Sequence, residues 1–543
     1  MDAQVDESSK HLDFTIIHKQ FIVGLAVISV LAWLLQSLFL ACRDGLRDVP
    51  GPWPAKFTPL WRFMFVYNGE AHEKYRKLHA EYGPIVRTAP NVVDISDPSA
   101  IPALYGIGSI LTKLACANQS DFYSTFDVIH EKDFMSSMFS TRSSNEHKAI
   151  KRPVAQKYSM SSIRTLEYLV DPCSEIFTNA MEELEGQVID LGVWLQWYAF
   201  DVIGAMTFAK RFGFMEQRKD VKNVISGIDL GLRVGSILGQ IPLLNCLSWR
   251  SKTIRNAFGH FSLSDPMDIV TKMVLEAVEA YDAEAATGNE RGDFLAFFRQ
   301  QSKSSGESMA QKELMNHLTN NLLAGSDTTA ISLRAVFYYF LRNPQCYDKL
   351  QAEIDHYDDS GKLSPVISYT ESLQMNYLHL VLKEAMRMHP GVQFPLERVV
   401  PSGGVKICGQ FIPEGAVVGV NAAVIHRDRK IFGDDADEFR PQRWLCDEEK
   451  AKNMDRHLLT FGAGARTCIG KNISIMEMGK LVPQVLRQFQ LEWASDEPEW
   501  KIQTYWFAKQ TGLLLKKENI SHPGNADELS RINYIGLYSH RYI

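Results

Sequence analysis

The sequence predicts a mainly α-helical fold with small β-sheets, an α+β class, preceded by one N-terminal transmembrane helix. Three observations predict it. Amphipathic periodicity of 3.6 residues dominates positions 160 to 300, interrupted only by short polar breaks. Strand-like alternation is confined to minor runs: Ile85–Thr88 and Val92–Ile95 flanking Pro90-Asn91, and Val405–Val420 with Gly409 and Gly415. Regular β–α alternation is missing, no Gly-x-Gly-x-x-Gly follows a strand, and no Gly-Lys-Ser/Thr loop occurs. A doubly wound nucleotide-binding sheet is therefore disfavoured, and the chain is not expected to bind NADPH or FAD itself.

Five segments follow along the chain. Positions 1–20 carry Asp2, Asp6, Glu7 and Asp13 and read as a lumenal tail. Positions 21–42 hold the apolar run FIVGLAVISVLAWLLQSLFLA, which as a helix spans about 30 Å, the thickness of a bilayer's hydrocarbon. Arg43 and Arg47 follow it, so the positive-inside bias places the downstream side in the cytosol. A cleaved signal peptide would want a basic start and a shorter apolar core. Positions 43–59 include Pro50-Gly51-Pro52-Trp53-Pro54, which cannot be helix and reads as a stiff hinge. Positions 60–520 form the globular domain, and the tail at 521–543 has no assigned role.

Composition narrows the function. The chain has 543 residues, 45% of them hydrophobic, with a net charge of −6 and no long basic run, so nucleic acid is not an expected partner. Its 8 cysteines are dispersed without a C-x-x-C pair or zinc spacing, which suits a reducing compartment where thiols stay free. The sequons at Asn118, Asn472 and Asn519 would stay unmodified in a cytosolic globule.

Four motifs carry chemistry. Phe461-Gly462-Ala463-Gly464-Ala465-Arg466-Thr467-Cys468-Ile469-Gly470 presents one thiol in a loop. Its glycines let main chain pass close to a flat ligand, and Arg466 offers a planar fork to a carboxylate. A lone cysteine is usually a small buried hydrophobe; the frame around Cys468 is what sets it apart. Ala324-Gly325-Ser326-Asp327-Thr328-Thr329 lies inside an apolar run from Leu314 to Leu341. These poor helix formers compete for backbone groups, so a local opening of the helix is expected there, with an acid beside a hydroxyl able to relay protons. Glu384-Ala385-Met386-Arg387 places two opposite charges on one helix face, where such a pair is ordinarily solvated and weak. Phe439-Arg440-Pro441-Gln442-Arg443-Trp444 is equally weak alone.

The order of these motifs, at 327, 384, 443 and 468, resembles the cytochrome P450 superfamily, fungal microsomal type, most like the pisatin-demethylase-like group. The resemblance runs from the apolar segment to about residue 515. It implies a cytochrome P450 fold with haem b, Cys468 as axial thiolate to the iron, and Thr328 with Asp327 for dioxygen activation and proton delivery. It implies a buried network of Glu384, Arg387 and Arg443, with Trp444 standing where the family has phenylalanine. Phe461 would shield the sulfur. Arg466, Arg398, His147 and Arg152 would serve the haem, with the choice between Lys151 and Arg152 left open. Leu323, Ala324, Gln393, Phe394 and Phe507 would line the pocket with Val392, Leu396, Trp506 and Thr511, so a small apolar substrate is expected.

Electrons would come from NADPH through the membrane-bound cytochrome P450 reductase, for which Lys148, Lys151, Arg152 and Lys471 offer a basic face. The expected location is the endoplasmic reticulum membrane, single-pass, with the catalytic domain cytosolic. The expected role is oxidation of an apolar compound in fungal secondary metabolism. The alternatives are a haem-thiolate isomerase or dehydratase working without a reductase, a detoxifying demethylase of a plant defence compound, or a non-catalytic haem carrier.

Overall fold

The computed structural model describes residues 24, 27–28, 31–106, 119–130, 133–241, 268–285, 292–304 and 311–520. The expected lumenal tail, much of the first half of the expected anchor and the tail at 521–543 lie outside the described residues. Among the described residues no helix is long and apolar enough to cross a membrane. The part of the apolar segment that is described is a helix over 31–42 whose Leu31, Trp33, Leu34, Leu35, Leu38 and Phe39 are exposed.

Helices make most of the domain, and five of them position the site. They are α1 (Ser144–Lys151), α2 (Leu191–Phe208), α3 (Gln311–Leu341), α4 (Asn376–Met388) and α5 (Lys471–Gln488). Their boundaries follow local chemistry. Ser143 caps α1 by accepting from the Glu146 backbone N–H, and Lys148 and Lys151 face its negative C-terminal end. α3 stops before Asn343, where Pro344 opens the next helix at a position that needs no N–H donor. Apolar side chains surround most of α3, so it is buried, and it packs against α2, α4 and α5 in the largest core cluster.

The strands are few, as the alternation predicts. Ile85–Ala89 and Val92–Ile95 form an antiparallel pair, joined in parallel by Val417–Val420 and edged by Arg398–Val399. Lys501–Tyr505 and Phe507–Thr511 form a hairpin whose second strand meets Val392, and Gln510 donates to the Ile331 carbonyl of α3 at 3.0 Å.

The proline-rich stretch is packed onto the domain. Leu46 and Val49 are buried, and the Arg87 backbone N–H donates to the Pro50 carbonyl at 2.7 Å. The fully buried Arg87 guanidinium donates to the carbonyls of Leu40 (2.7 Å), Leu46 (2.9 Å), Pro90 (2.5 Å) and Ala41 (3.3 Å). Burial lowers its pKa to about 10.

Candidate functional site

Cys468 lies two residues ahead of the Gly470 cap of α5. Its backbone N–H donates to the Phe461 carbonyl at 2.8 Å, and Thr467 donates from both N–H and hydroxyl to the Gly464 carbonyl. These bonds close the ten-residue loop on itself. Gly464 has φ +67°, and a Cβ there would stand 1.7 Å from the Tyr105 carbonyl oxygen, so no side chain fits. Tyr105 in turn donates to the Leu396 carbonyl at 2.7 Å, accepts from the Val420 N–H at 2.9 Å, and lies under Arg398, 5.0 Å from ring centroid to guanidinium. The loop is thereby fitted against the sheet that carries Arg398.

Cys468 as a residue keeps accessible surface within this packed frame, while protein crowds its thiol. Burial raises its pKa; the Gly470 and Lys471 backbone N–H groups and the Lys151 charge oppose the rise. Lys151 donates to the carbonyls of Ala465 (2.9 Å) and Thr467 (3.3 Å). Of the two neighbouring cations it is the one that grips the loop; Arg152, at the C-cap of α1, is exposed.

α3 faces the same region. Thr329 Oγ1 pairs with Ser474 Oγ of α5 at 2.7 Å, and Tyr158 is hydrogen-bonded to Asn321 of α3 while its carbonyl accepts from Asn472 of α5 at 2.8 Å. Tyr158 was not visible as a site residue in the sequence, because nothing local marks a tyrosine that joins positions 321 and 472. In the mostly buried middle of α3, Ala324 is exposed and Leu323, Gly325 and Thr328 are half-buried. The expected opening of α3 is not formed. The helix runs unbroken, and the hydroxyls of Ser326 and Thr328 donate locally to the carbonyls of Leu322 (2.8 Å) and Ala324 (2.7 Å), four residues back, without parting the ladder.

Asp327 points to the other side, toward α2. One of its oxygens accepts from the Gln196 amide, whose own oxygen accepts from Arg334 at 2.8 Å; Arg334 also donates twice to the Gly192 carbonyl. The second Asp327 oxygen is buried without a hydrogen-bond partner. Burial raises the pKa of this carboxyl, and Lys509 and Arg334 oppose it while Asp229, paired with Lys509 at 2.6 Å, adds to it.

A cluster of cations flanks the loop. Arg466 donates to Gln119 Oε1 at 2.9 Å, and burial with nearby Arg398 lowers its pKa to about 10. His147 is buried on α1; burial, Arg466, Lys151 and Arg398 push its pKa down to about 4, so it is neutral at pH 7. No carboxylate pairs with Arg466 or Arg398 among the ion pairs of the described residues.

Glu384, Arg387 and Arg443 are fully buried together, the opposite of the solvated pair expected from a lone Glu-x-x-Arg. Glu384 Oε1 accepts from Arg387 Nη2 (2.7 Å), Arg443 Nε (2.7 Å) and the Arg440 backbone N–H (3.0 Å). Its Oε2 accepts from Arg387 Nε (2.9 Å) and Trp444 Nε1 (3.0 Å), so Trp444 adds a bond that phenylalanine lacks.

The pocket residues divide. Leu323, Ala324, Val392, Leu396 and Phe507 keep accessible surface. Phe394 is buried among Tyr75, Phe122 and Trp506, and the Gln393 amide is used internally, donating to the Pro390 carbonyl at 3.1 Å.

This donor set fits haem. Among the described residues no three His, Cys, Asp or Glu side chains converge on a metal. A metal held here by one sulfur must bring its other ligands with it, as a macrocycle does. The glycine-lined loop, the accessible face of α3 and the unpaired arginines suit a flat group carrying carboxylates.

Comparison with known proteins agrees. The cytochrome P450 family model matches residues 50–523. A cytochrome P450 monooxygenase of Aspergillus terreus is 36% identical over 488 residues, covering 88% of this chain and 96% of that protein. Another from Penicillium aethiopicum is 36% identical over 91% of this chain and 98% of its own length, and the pisatin demethylase of Fusarium vanettenii is 35% identical over 89% and 91%. The chain belongs to the cytochrome P450 family and is a monooxygenase that uses haem b, with electrons drawn from NAD(P)H through a reductase.

Proposed function

We propose that this chain oxidises a small apolar molecule in fungal secondary metabolism, anchored by its N-terminal segment to the endoplasmic reticulum membrane with the catalytic domain in the cytosol. The observation that carries the reading is the exposed residue Cys468 set in a loop braced from three sides, by Lys151, by Tyr105 and by its own backbone bonds. The relatives' names support monooxygenation, and a pisatin demethylase among them keeps oxidation at a methyl carbon within the same chemistry.

In this reading Cys468 ligates the iron and Arg466 and Arg398 hold the haem carboxylates, with neutral His147 as a further donor. The haem, when bound, supplies dioxygen activation. The chain's own residues supply the rest. Leu323, Ala324 and Phe507 present an apolar wall that orients substrate and sheds water. Burial raises the pKa of the Asp327 carboxyl and one of its oxygens has no hydrogen-bond partner, features that suit a group handling protons. Thr328, half-buried on the face of α3 that exposes Ala324, offers a hydroxyl that donates to the Ala324 carbonyl and would be able to turn outward to hold or pass a proton at its Oγ1.

Microsomes holding the protein are expected to show the thiolate-ligated Soret band of the ferrous carbon monoxide complex, and Cys468→Ala is expected to abolish it; an unchanged spectrum in the variant overturns the ligand assignment. Thr328→Ala is expected to keep oxidising NADPH while product formed per NADPH drops about ten-fold, equivalent to ~1.4 kcal/mol, with peroxide released instead. Fully coupled turnover in that variant rules out its role in proton delivery.

A further inference from the structure

His426 follows the short helix Ala422–Ile425 and is wholly buried. Besides its helical N–H bond to the Ala422 carbonyl, three hydrogen bonds from distant residues meet on it. Arg387 Nη1 donates to the His426 carbonyl at 2.6 Å. His426 Nδ1 lies 3.0 Å from the Arg387 carbonyl. The Leu459 backbone N–H donates to His426 Nε2 at 2.7 Å. A carbonyl only accepts and a backbone N–H only donates, so the ring carries its hydrogen on Nδ1 and a lone pair on Nε2. Burial and the Arg387 charge push its pKa down to about 3, so the ring is neutral and that lone pair is free for Leu459.

The bonds form a path. Arg387 and His426 exchange side-chain-to-carbonyl bonds in both directions, which locks the imidazole to the Glu384 network. The other carbonyl acceptors of Arg387 and Arg443 belong to residues 432, 435, 436 and 438, upstream of the cysteine loop. His426 crosses from there to Leu459, whose carbonyl accepts from the Gly462 N–H at 2.9 Å at the start of the loop. A longer contact, Thr460 Oγ1 to the Met386 carbonyl at 3.4 Å, runs alongside.

We propose that His426 is a positioning residue that ties the buried Glu384–Arg387 network to the backbone entering the Cys468 loop, and thereby holds the sulfur in place for haem. This rests on Cys468 being the axial ligand. The network stiffens the interior, yet without a bond to the loop it has little hold on the thiol; His426 provides a short, directional one.

The test compares the full haem-loaded protein with His426→Phe and His426→Gln. Phenylalanine keeps a flat ring and loses both ring hydrogen bonds, whereas glutamine can donate from Nε2 and accept at Oε1. Three quantities are measured: the rate of haem transfer to excess apomyoglobin, the share of the ferrous carbon monoxide spectrum in the thiolate-ligated band, and the unfolding midpoint. His426→Phe is expected to lose haem about ten-fold faster, the factor set by one hydrogen bond of ~1.4 kcal/mol, and to shift intensity out of the thiolate band. His426→Gln is expected to stay within about three-fold of the parent on haem loss, since it can restore the bonds.

A His426→Phe protein with a lowered midpoint but parental haem loss and a parental band overturns the proposal, for the ring then only fills space. Where His426→Phe yields no folded protein, His426→Gln decides. Parental haem loss and band support the bridge, and ten-fold faster loss overturns it. Absence of the thiolate band from the parent protein would instead overturn the Cys468 reading, which keeps the two failures apart.

Discussion

Glu384→Ala is expected to lose about 3–5 kcal/mol of folding stability, the cost of removing one partner from a buried ionic network. The expectation comes from the count of donors that Glu384 serves. Two arginine side chains, one indole and one backbone N–H direct five N–H groups at its two oxygens, and the carboxylate is wholly buried. Alanine leaves those groups without their acceptor in a site closed to water. Arg443 keeps Asp435 at 2.9 Å, while Arg387 has no second carboxylate in its hydrogen bonds and must rest on carbonyls and the Met388 sulfur. Glu384→Gln keeps the shape and one acceptor oxygen and should fall between the two. Urea unfolding of the purified variants checks this; a loss under about 1 kcal/mol for alanine, the size of an exposed pair, means the network is not closed to water.

Gly464→Ala is expected to produce protein that folds poorly and binds haem weakly, with occupancy down by about ten-fold or more, or ~1.4 kcal/mol. Two effects add. Alanine in the left-handed region costs roughly 1–2 kcal/mol, and the new methyl collides with the Tyr105 carbonyl unless the loop or the strand neighbours move. Tyr105 is not free to yield, since its hydroxyl is held between Leu396 and Val420. The loop must therefore give way, and with it Cys468 and Arg466. Haem-to-protein ratio after purification reads the effect. Gly470→Ala is the control: its Cβ would meet the Cys468 sulfur at an ordinary 4.0 Å, so a milder loss is expected there.

Much of this was legible before any coordinates. The hairpin at Ile85–Ile95, the long apolar helix and the frame around Cys468 are local patterns, and local patterns survive folding. The burial of Glu384 and Arg387 was not legible from the pair itself, because two charges three apart on a helix look the same whether they face water or core. Arg443 and Trp444, some 60 residues on, decide it. His426, Tyr158 and Gln196 were missed for the same reason: each earns its place through partners far away in sequence, and no spacing announces them. That Lys151 grips the loop could not be read from the sequence, because it depends on the helical phase of α1, which carries Lys151 to the loop carbonyls and leaves Arg152 exposed. The burial of the Gln393 and Phe394 side chains was likewise not legible, because their partners Tyr75, Phe122, Pro390 and Trp506 come mostly from distant segments.

Arg87 gives the chain a fixed elbow. Its guanidinium is a buried cation whose hydrogen-bond acceptors are all carbonyls, and two of the four, Leu40 and Ala41, belong to the last turn of the apolar helix. Swinging that helix away would strip the charge of half its acceptors, and an uncompensated buried charge costs several kcal/mol. The angle between helix and domain is thus set by the same cooperative forces that hold the core. Whatever surface that helix is fastened to, the domain must follow it at one attitude.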